Sequence, residues 1–312
     1  VLKKRPPNPI IPGTPKDRTG SVGIIRRAIS EINQRFAGLQ ADVLAIFDGI
    51  RVYGSNDVAL TSERTIYGLT GEEMAATSYA LQQALDRWIA GQRDPGKVFW
   101  WDKYDSDAAQ TGTTQTVANL RNLSDSYAAA RSLEQVVFSE PYRNRVAVAQ
   151  IKSYDHWTGA SAEIKAELSQ IIGRAVVDGK NPKAVRTEIM ERLDVSGSKA
   201  AQYAQTDITD TLRQARWAEA DYATEQFGFA TAMLWTSALL PTTRPTHAAR
   251  NGKVYTTDEV RDFYGKNGNR YRCHCGQTEC LLDSDGNPIL TQGLKDKMQA
   301  EKSAWEAAQT GD

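Results

Sequence analysis

Cysteine and histidine are scarce in this chain, with three of each in 312 residues. Thiols this few and odd in number exclude a disulfide framework of the secreted type and point to a reducing compartment. Net charge is lacking too: 38 basic residues balance 38 acidic ones, so no overall field draws the chain to nucleic acid or membrane. No apolar run approaches the ~18 residues of a membrane span. The opening VLKKRPPNPIIPGTP puts charge and proline where a secretory leader would be apolar, so no signal peptide is expected. The common catalytic signatures GxSxG, GxxxxGK[ST] and HExxH are also missing.

What is present is helical patterning. Mean hydropathy is low, at −0.51, as expected for helices that bury one stripe and wet the other. Residues 1–20 form a basic, proline-rich arm with Pro6, Pro7, Pro9, Pro12 and Pro15, which favours an extended, polyproline-like path. This arm is either a disordered tail or a strap on a partner, which Lys3, Lys4, Arg5, Pro6 and Pro7 would contact. Apolar residues then recur at helical spacing through Ile25, Ile29, Ile32, Phe36, Leu39, Val43 and Ile46. Thr70-Gly71-Glu72-Glu73 reads as a capping box opening a helix that stops at Gly91. The Phe99-Trp100-Trp101 trio is either core packing or an interface anchor. Helical patterning resumes from Thr113, breaks near Pro141, and returns from 161 to 178. Asn181-Pro182 opens a helix to Asp194, Gly197-Ser198 punctuate, and another runs from about Lys199 to Glu225. The predicted fold is mainly α: an elongated multi-helix N-terminal region (21–157), more helix from 158, and a small irregular α+β module over 228–290. Within the module, residues 229–236 read as a strand. A charged helical tail (291–312) follows.

All three thiols (Cys273, Cys275, Cys280) and two imidazoles (His247, His274) fall between His247 and Cys280. These are ligands that transition metals prefer. Zn2+ held by His247, Cys273, Cys275 and Cys280 would make a closed structural shell, and would supply folding energy to a segment poor in oily side chains. Buried free thiols with a hydrogen-bonded histidine, or a disulfide, remain open as alternatives. Arg244, Arg250, Lys253, Arg270 and Arg272 form a small basic set with tyrosines interleaved. That set suits either a DNA phosphate backbone or an ordinary solvated face. Arg244 and Asn251 are expected to position the loop. His156, beside Trp157, reads as structural.

The order of motifs is familiar. Ala204-Gln205-Thr206-Asp207 lies on a helix, followed by Leu234-Trp235-Thr236, Thr243-Arg244-Pro245-Thr246-His247, Asn251-Gly252-Lys253-Val254-Tyr255, and Arg272-Cys273-His274-Cys275. This resembles the head-morphogenesis domain of Mu-type and SPP1-type phage minor head proteins over roughly residues 160–285, and gives 158–290 as a head-morphogenesis-like domain. The chain departs from that pattern at Leu240-Pro241-Thr242, where many members carry an aspartate. The resemblance implies a non-enzymatic virion component made in the host cytoplasm and placed inside the capsid near the portal. Its implied partners are the portal protein, the major capsid or scaffold protein, and double-stranded DNA during packaging or ejection, with no membrane. A metal-assisted nuclease or an ADP-ribosyltransferase-like enzyme is the alternative, and a plain adaptor is a third reading.

Overall fold

A computed structural model describes residues 8–53, 64–91, 98–228 and 230–310. The fold is mainly α with a small α+β C-terminal module, as the patterning predicts. The helices are α1 (Val22–Asp48), α2 (Gly71–Leu85, continued by a π-helical turn over Asp86–Ala90), α3 (Asp102–Leu123), α4 (Asp125–Ala130) and α5 (Leu133–Val137). They continue with α6 (Glu140–Asp178), α7 (Pro182–Phe227), α8 (Pro245–Ala248), α9 (Thr257–Gly265) and α10 (Gln292–Thr310). A two-stranded hairpin, β1 (Arg51–Tyr53) with β2 (Ile66–Gly68), precedes α2. The strands β3 (Thr231–Thr236), β4 (Val254–Tyr255) and β5 (Gly276–Leu281) form an antiparallel sheet in the order β4-β3-β5. No helix among the described residues is long and apolar enough to cross a membrane.

Local chemistry explains most boundaries. The Asp17 carboxylate accepts from the backbone N–H groups of Gly20, Ser21 and Val22 at 2.9, 3.2 and 3.1 Å, satisfying donors at the start of α1. Thr70 and Glu73 form the capping box of α2. Asn181 Oδ1 accepts from Lys183 N at 2.9 Å with Pro182 in the first turn of α7. One expectation fails: α7 runs unbroken through Gly197 and Ser198. An interior glycine costs a helix only ~1 kcal/mol, and burial of Val185, Ile189, Leu193, Ala200, Ala204, Ile208 and Leu212 along α7 outweighs that.

The chain forms two compact units, each assembled from separate segments, so they cut across the linear divisions at 157 and 228. One contains residues 27–102 and 150–204. Its core takes Ile32, Phe36, Leu39 and Val43 from α1, Leu81 and Leu85 from α2, Leu168 and Ile172 from α6, and Val185 and Ile189 from α7. The aromatic trio belongs here as packing. Phe99 and Trp101 are buried, and Trp100 and Trp101 meet Trp157 at 4.8 and 5.2 Å. His156 stacks on Tyr203. Gly38 is required by a close approach, since a Cβ there would lie 2.4 Å from the Trp88 ring.

The other unit comprises residues 1–26, 103–149 and 205–312 and contains the whole Cys/His segment. Its sheet has a core on each face. On one side Met233 and Trp235 pack with Trp217 and Ala220 of α7, Val260 and Tyr264 of α9, and Cys273 and Cys275. On the other, Ala232, Leu234 and Cys280 pack with Met298 of α10 and with Ile11. The expectation that this module is too poor in apolar side chains to hold itself is therefore incorrect. Its core borrows Trp217 and Ala220 from a helix that precedes it in sequence. A buried polar clamp ties α3 and α7 to β5. Glu279 accepts from Arg216 Nε and Nη2 (3.1 and 2.8 Å), Thr116 Oγ1 (2.8 Å) and Asn119 Nδ2 (2.9 Å), all with side chains hidden from solvent.

The described part of the arm lies on its own chain. Ile10 N donates to Asn119 Oδ1 at 2.8 Å, Asn8 exchanges hydrogen bonds with Thr291, and Arg18 pairs with Glu301 at 2.7 Å. Lys3, Lys4, Arg5, Pro6 and Pro7 fall outside the described residues.

Helix α3 approaches α7 so closely that a Cβ on Gly112 would lie 2.2 Å from the Leu212 carbonyl oxygen. Gly112→Ala should destabilise the protein by about 1–3 kcal/mol because backbone must move. Gly159→Ala, in α6 with nothing within 4 Å, should stabilise it by about 0.5–1 kcal/mol. Denaturant midpoints of the two variants, shifted in opposite directions, check this.

Candidate metal centre

Three segments converge on the site. The first is α8, entered through Arg244 with Pro245 in its first turn, which carries buried His247. Ser237 fixes it by donating to the His247 carbonyl at 2.6 Å. Asn251 bridges Ser237 N and the Met298 carbonyl, both at 2.8 Å, so it anchors the loop to α10. The second segment is the run 271–275 leading into β5. The third is α7, whose fully buried Arg213 donates one Nη2 to the carbonyls of Cys273 (3.0 Å) and Cys275 (2.8 Å). Carbonyls two residues apart point the same way in extended backbone, and so do the side chains. Arg213 thus holds the two thiols on one side.

His247 Nδ1 lies 3.4 Å from Cys273 Sγ and 3.8 Å from Cys275 Sγ. The three ligand atoms all lie within 4.8 Å of one another. For Zn–S of about 2.3 Å and Zn–N of about 2.0–2.1 Å, a tetrahedral site needs N···S near 3.6 Å. The observed pair brackets that value. The other ring nitrogen, Nε2, faces Arg244 Nη1 at 3.0 Å and Asn269 Oδ1 at 3.4 Å. Asn269 is oriented by its Nδ2 bond to the Phe263 carbonyl at 2.9 Å. With Nε2–H directed to Asn269 Oδ1, Nδ1 is free to ligate, which is the usual outer-shell arrangement of a ligating imidazole. With Arg244 donating to Nε2, Nδ1 instead carries the proton and faces the sulfurs. Phe263 and Trp235 wall the imidazole edge-on, with centroids at 5.0 and 6.0 Å.

The electrostatics single out one thiol. Burial alone pushes Cys273 up, but hydrogen bonds from Cys275 and His247 and the charge of Arg213 carry it well below the ordinary thiol range. The bond to Cys273, then burial, raise Cys275 well above it. Tyr264 closes the back of the site, its hydroxyl 3.4 Å from Cys273 Sγ and held by Gln277 at 2.9 Å. The front opens into a cavity of about 410 Å3 that His247, Cys273, Cys275, Arg244, Arg272 and His274 help to line. Among the described residues three non-glycines have positive φ: Leu239 (51°), Asn267 (53°) and Arg272 (52°). Arg272 lines the cavity, and Leu239 adjoins Leu240 on its wall. Such backbone persists only where surrounding structure enforces it.

Cys280 is not part of the cluster. It opposes Ala232 in the β3–β5 register and is buried on the far face with Leu234 and Met298. The reason is parity: it lies five positions beyond Cys275, and an odd step along an extended strand reverses the face. Burial and nearby Glu279 push its thiol up to about 12.

The basic set is divided. Arg244 is spent on the carbonyls of Asn269 (2.9 Å) and Tyr271, which it holds in place. Arg250 lies over Phe263 at 3.8 Å and Tyr255 at 4.4 Å. Arg270 pairs with Asp210 at 3.2 Å. Lys253 and Arg272 are exposed. Arg213 and Asn269 carry no site role in the sequence reading, and Tyr264 enters it only among the tyrosines interleaved with the basic set. The signal for Arg213 was its helical spacing with Trp217 and Ala220, which places an arginine on a buried face.

Comparison with known families shows that residues 166–278 fit the model described as Phage Mu protein F like protein. The matched span includes His247, Cys273 and Cys275 and ends before Cys280. No curated protein and no solved structure matches the chain.

The two thiol environments predict different reactivity. In chelator-treated native protein, iodoacetamide should label Cys273 at least about tenfold faster than Cys280, because the thiolate is the nucleophile and Cys280 is sealed between sheet and helix. Peptide mass spectrometry over a time course reads this, and equal labelling would contradict the assignment.

Proposed function

We propose that this chain is a minor head protein of a bacteriophage, bound at the portal inside the capsid and acting in head assembly and in DNA packaging or ejection. The observation that carries this reading is the match over 166–278 to a phage Mu F-like family, which points to a head-morphogenesis protein. The motifs that suggested it, from Thr206-Asp207 through Trp235 and His247 to Cys273 and Cys275, all lie within one compact unit. That supports reading them as one working module rather than scattered coincidences. The role is structural and not enzymatic. The alternative of a metal-assisted nuclease loses support because no carboxylate joins the His247 cluster among the described residues.

The portal is the proposed principal partner. The strap that reaches it narrows to Lys3, Lys4, Arg5, Pro6 and Pro7, since residues 8–20 are engaged on their own chain. Major capsid or scaffold protein is a secondary partner. Any contact with double-stranded DNA rests on Lys253, Arg270 and Arg272, which remain on the surface. In this reading His247, Cys273 and Cys275 hold a zinc ion that pins the 243–275 segment beside β5.

Two outcomes test these proposals. Mass spectrometry of purified virions should find this chain at a copy number far below that of the major capsid protein, and removal of residues 1–7 should weaken co-purification with the portal protein of the same phage. Absence of the chain from both procapsids and virions would overturn the assignment. Elemental analysis of purified protein should find about one equivalent of zinc, retained in Cys280→Ser and lost in Cys275→Ser. A folded protein with less than about half an equivalent would end the zinc reading.

A further inference from the structure

A closed structural zinc shell has four protein ligands, whereas a three-ligand set leaves one coordination position for something else. Here the described residues supply three. Cys280 lies on the opposite face of the sheet. His274 is engaged with Gln205, Nε2 to Nε2 at 2.6 Å, and does not join the cluster. The same three ligands line a cavity of about 410 Å3, large beside the ~30 Å3 of one water and within the range of small-molecule sites.

The charged side chains that line that cavity are basic. Two thiolates cancel the two charges of zinc. Arg244 and Arg272 line the space and, among the described residues, no aspartate or glutamate does. Buried Arg213 stands behind the thiols, and its nearest acid, Asp210 at 3.4 Å, is shared with Arg270. The exposed guanidinium of Arg272 has no hydrogen-bond or ion-pair partner among the described residues, yet its backbone is held at a positive φ of 52°. An unpaired arginine lining the same cavity as an open metal position would make a receptor for an anion with two oxygens. One oxygen reaches the metal, and the other accepts from the guanidinium.

We infer that the fourth coordination position of the His247–Cys273–Cys275 centre takes an exchangeable small oxyanion, a carboxylate or a phosphate, admitted through this cavity and held by Arg272. The inference rests on the zinc reading above and adds a ligand class to it. The cavity volume suits a free anion or the end of a single side chain, and excludes a DNA duplex.

Cobalt(II) substitution of the full chain tests the two layers separately. A thiolate-to-cobalt absorption band reports metal on the cysteines, and its absence sinks both the metal site and this inference. With the band present, acetate and, in a separate titration, inorganic phosphate at constant ionic strength should shift the visible ligand-field bands saturably. The anion that saturates at lower concentration identifies the source. Arg272→Gln should raise that half-saturation concentration by about tenfold, the loss of one charge-assisted contact, while leaving the thiolate band unchanged. Cys280→Ser should behave as the unaltered protein. Ligand-field bands that ignore both anions would leave the metal centre standing and overturn the open position. A shift of equal half-saturation in the Arg272→Gln variant would overturn the role of the cavity.

Discussion

The pairing of β5 with β3 is the constraint on which the rest of the C-terminal unit depends. Six consecutive partners, from Thr231↔Leu281 to Thr236↔Gly276, decide the face on which every nearby side chain falls. Met233 and Trp235 share a side with Glu279 and Gln277, and Ala232 and Leu234 share the other with Cys280. A slip of one residue would exchange the faces. It would bring Cys280 towards the site and drive Glu279 into the apolar core around Met298. The register is secured by cost on both sides. Glu279 accepts four hydrogen bonds from three side chains on its own face and would be a stranded buried charge on the other, a loss of about 3–5 kcal/mol for the broken pair with Arg216.

Helix α7 is the second element the site needs. Arg213, Arg216, Trp217 and Ala220 lie along one side of it, so one helix supplies the clamp on the two cysteine carbonyls, the partner of Glu279 and one of the two indole rings in the core. The stacked rings of Trp235 and Tyr264, 5.3 Å apart, fill the space behind the thiols. This shell positions Cys273 and Cys275 before any ion arrives. A zinc ion here would tighten a formed site instead of creating the fold around it, in contrast to a small domain that is unfolded without metal.

Local chemistry was readable from sequence wherever it is local. The capping box at Thr70, the Asn181-Pro182 entry to α7 and the C-terminal helix all follow from residues within one turn of the boundary. Pairing across distance was not. Gly197 reads as a break because its neighbours in sequence are weak, while the packing that carries α7 through it comes from elsewhere. The short helices α4 and α5 merge into one continuous pattern. The apolar poverty of the Cys/His segment is real when that segment is counted alone, and disappears once Trp217 and Ala220 are added. The odd spacing of Cys280 from Cys275 was legible in principle. It needed the knowledge that 276–281 is a strand, which the polar run Gln277-Thr278-Glu279 conceals.

The central claim is that strand parity divides the three cysteines into a pair beside His247 and a buried bystander on the far face. Zinc-edge X-ray absorption on the full-length protein tests it most directly, by counting the sulfurs around the metal. The account predicts two sulfur scatterers with the remaining positions filled by nitrogen and oxygen. Three sulfurs would place Cys280 on the metal and contradict both the register and the site built upon it.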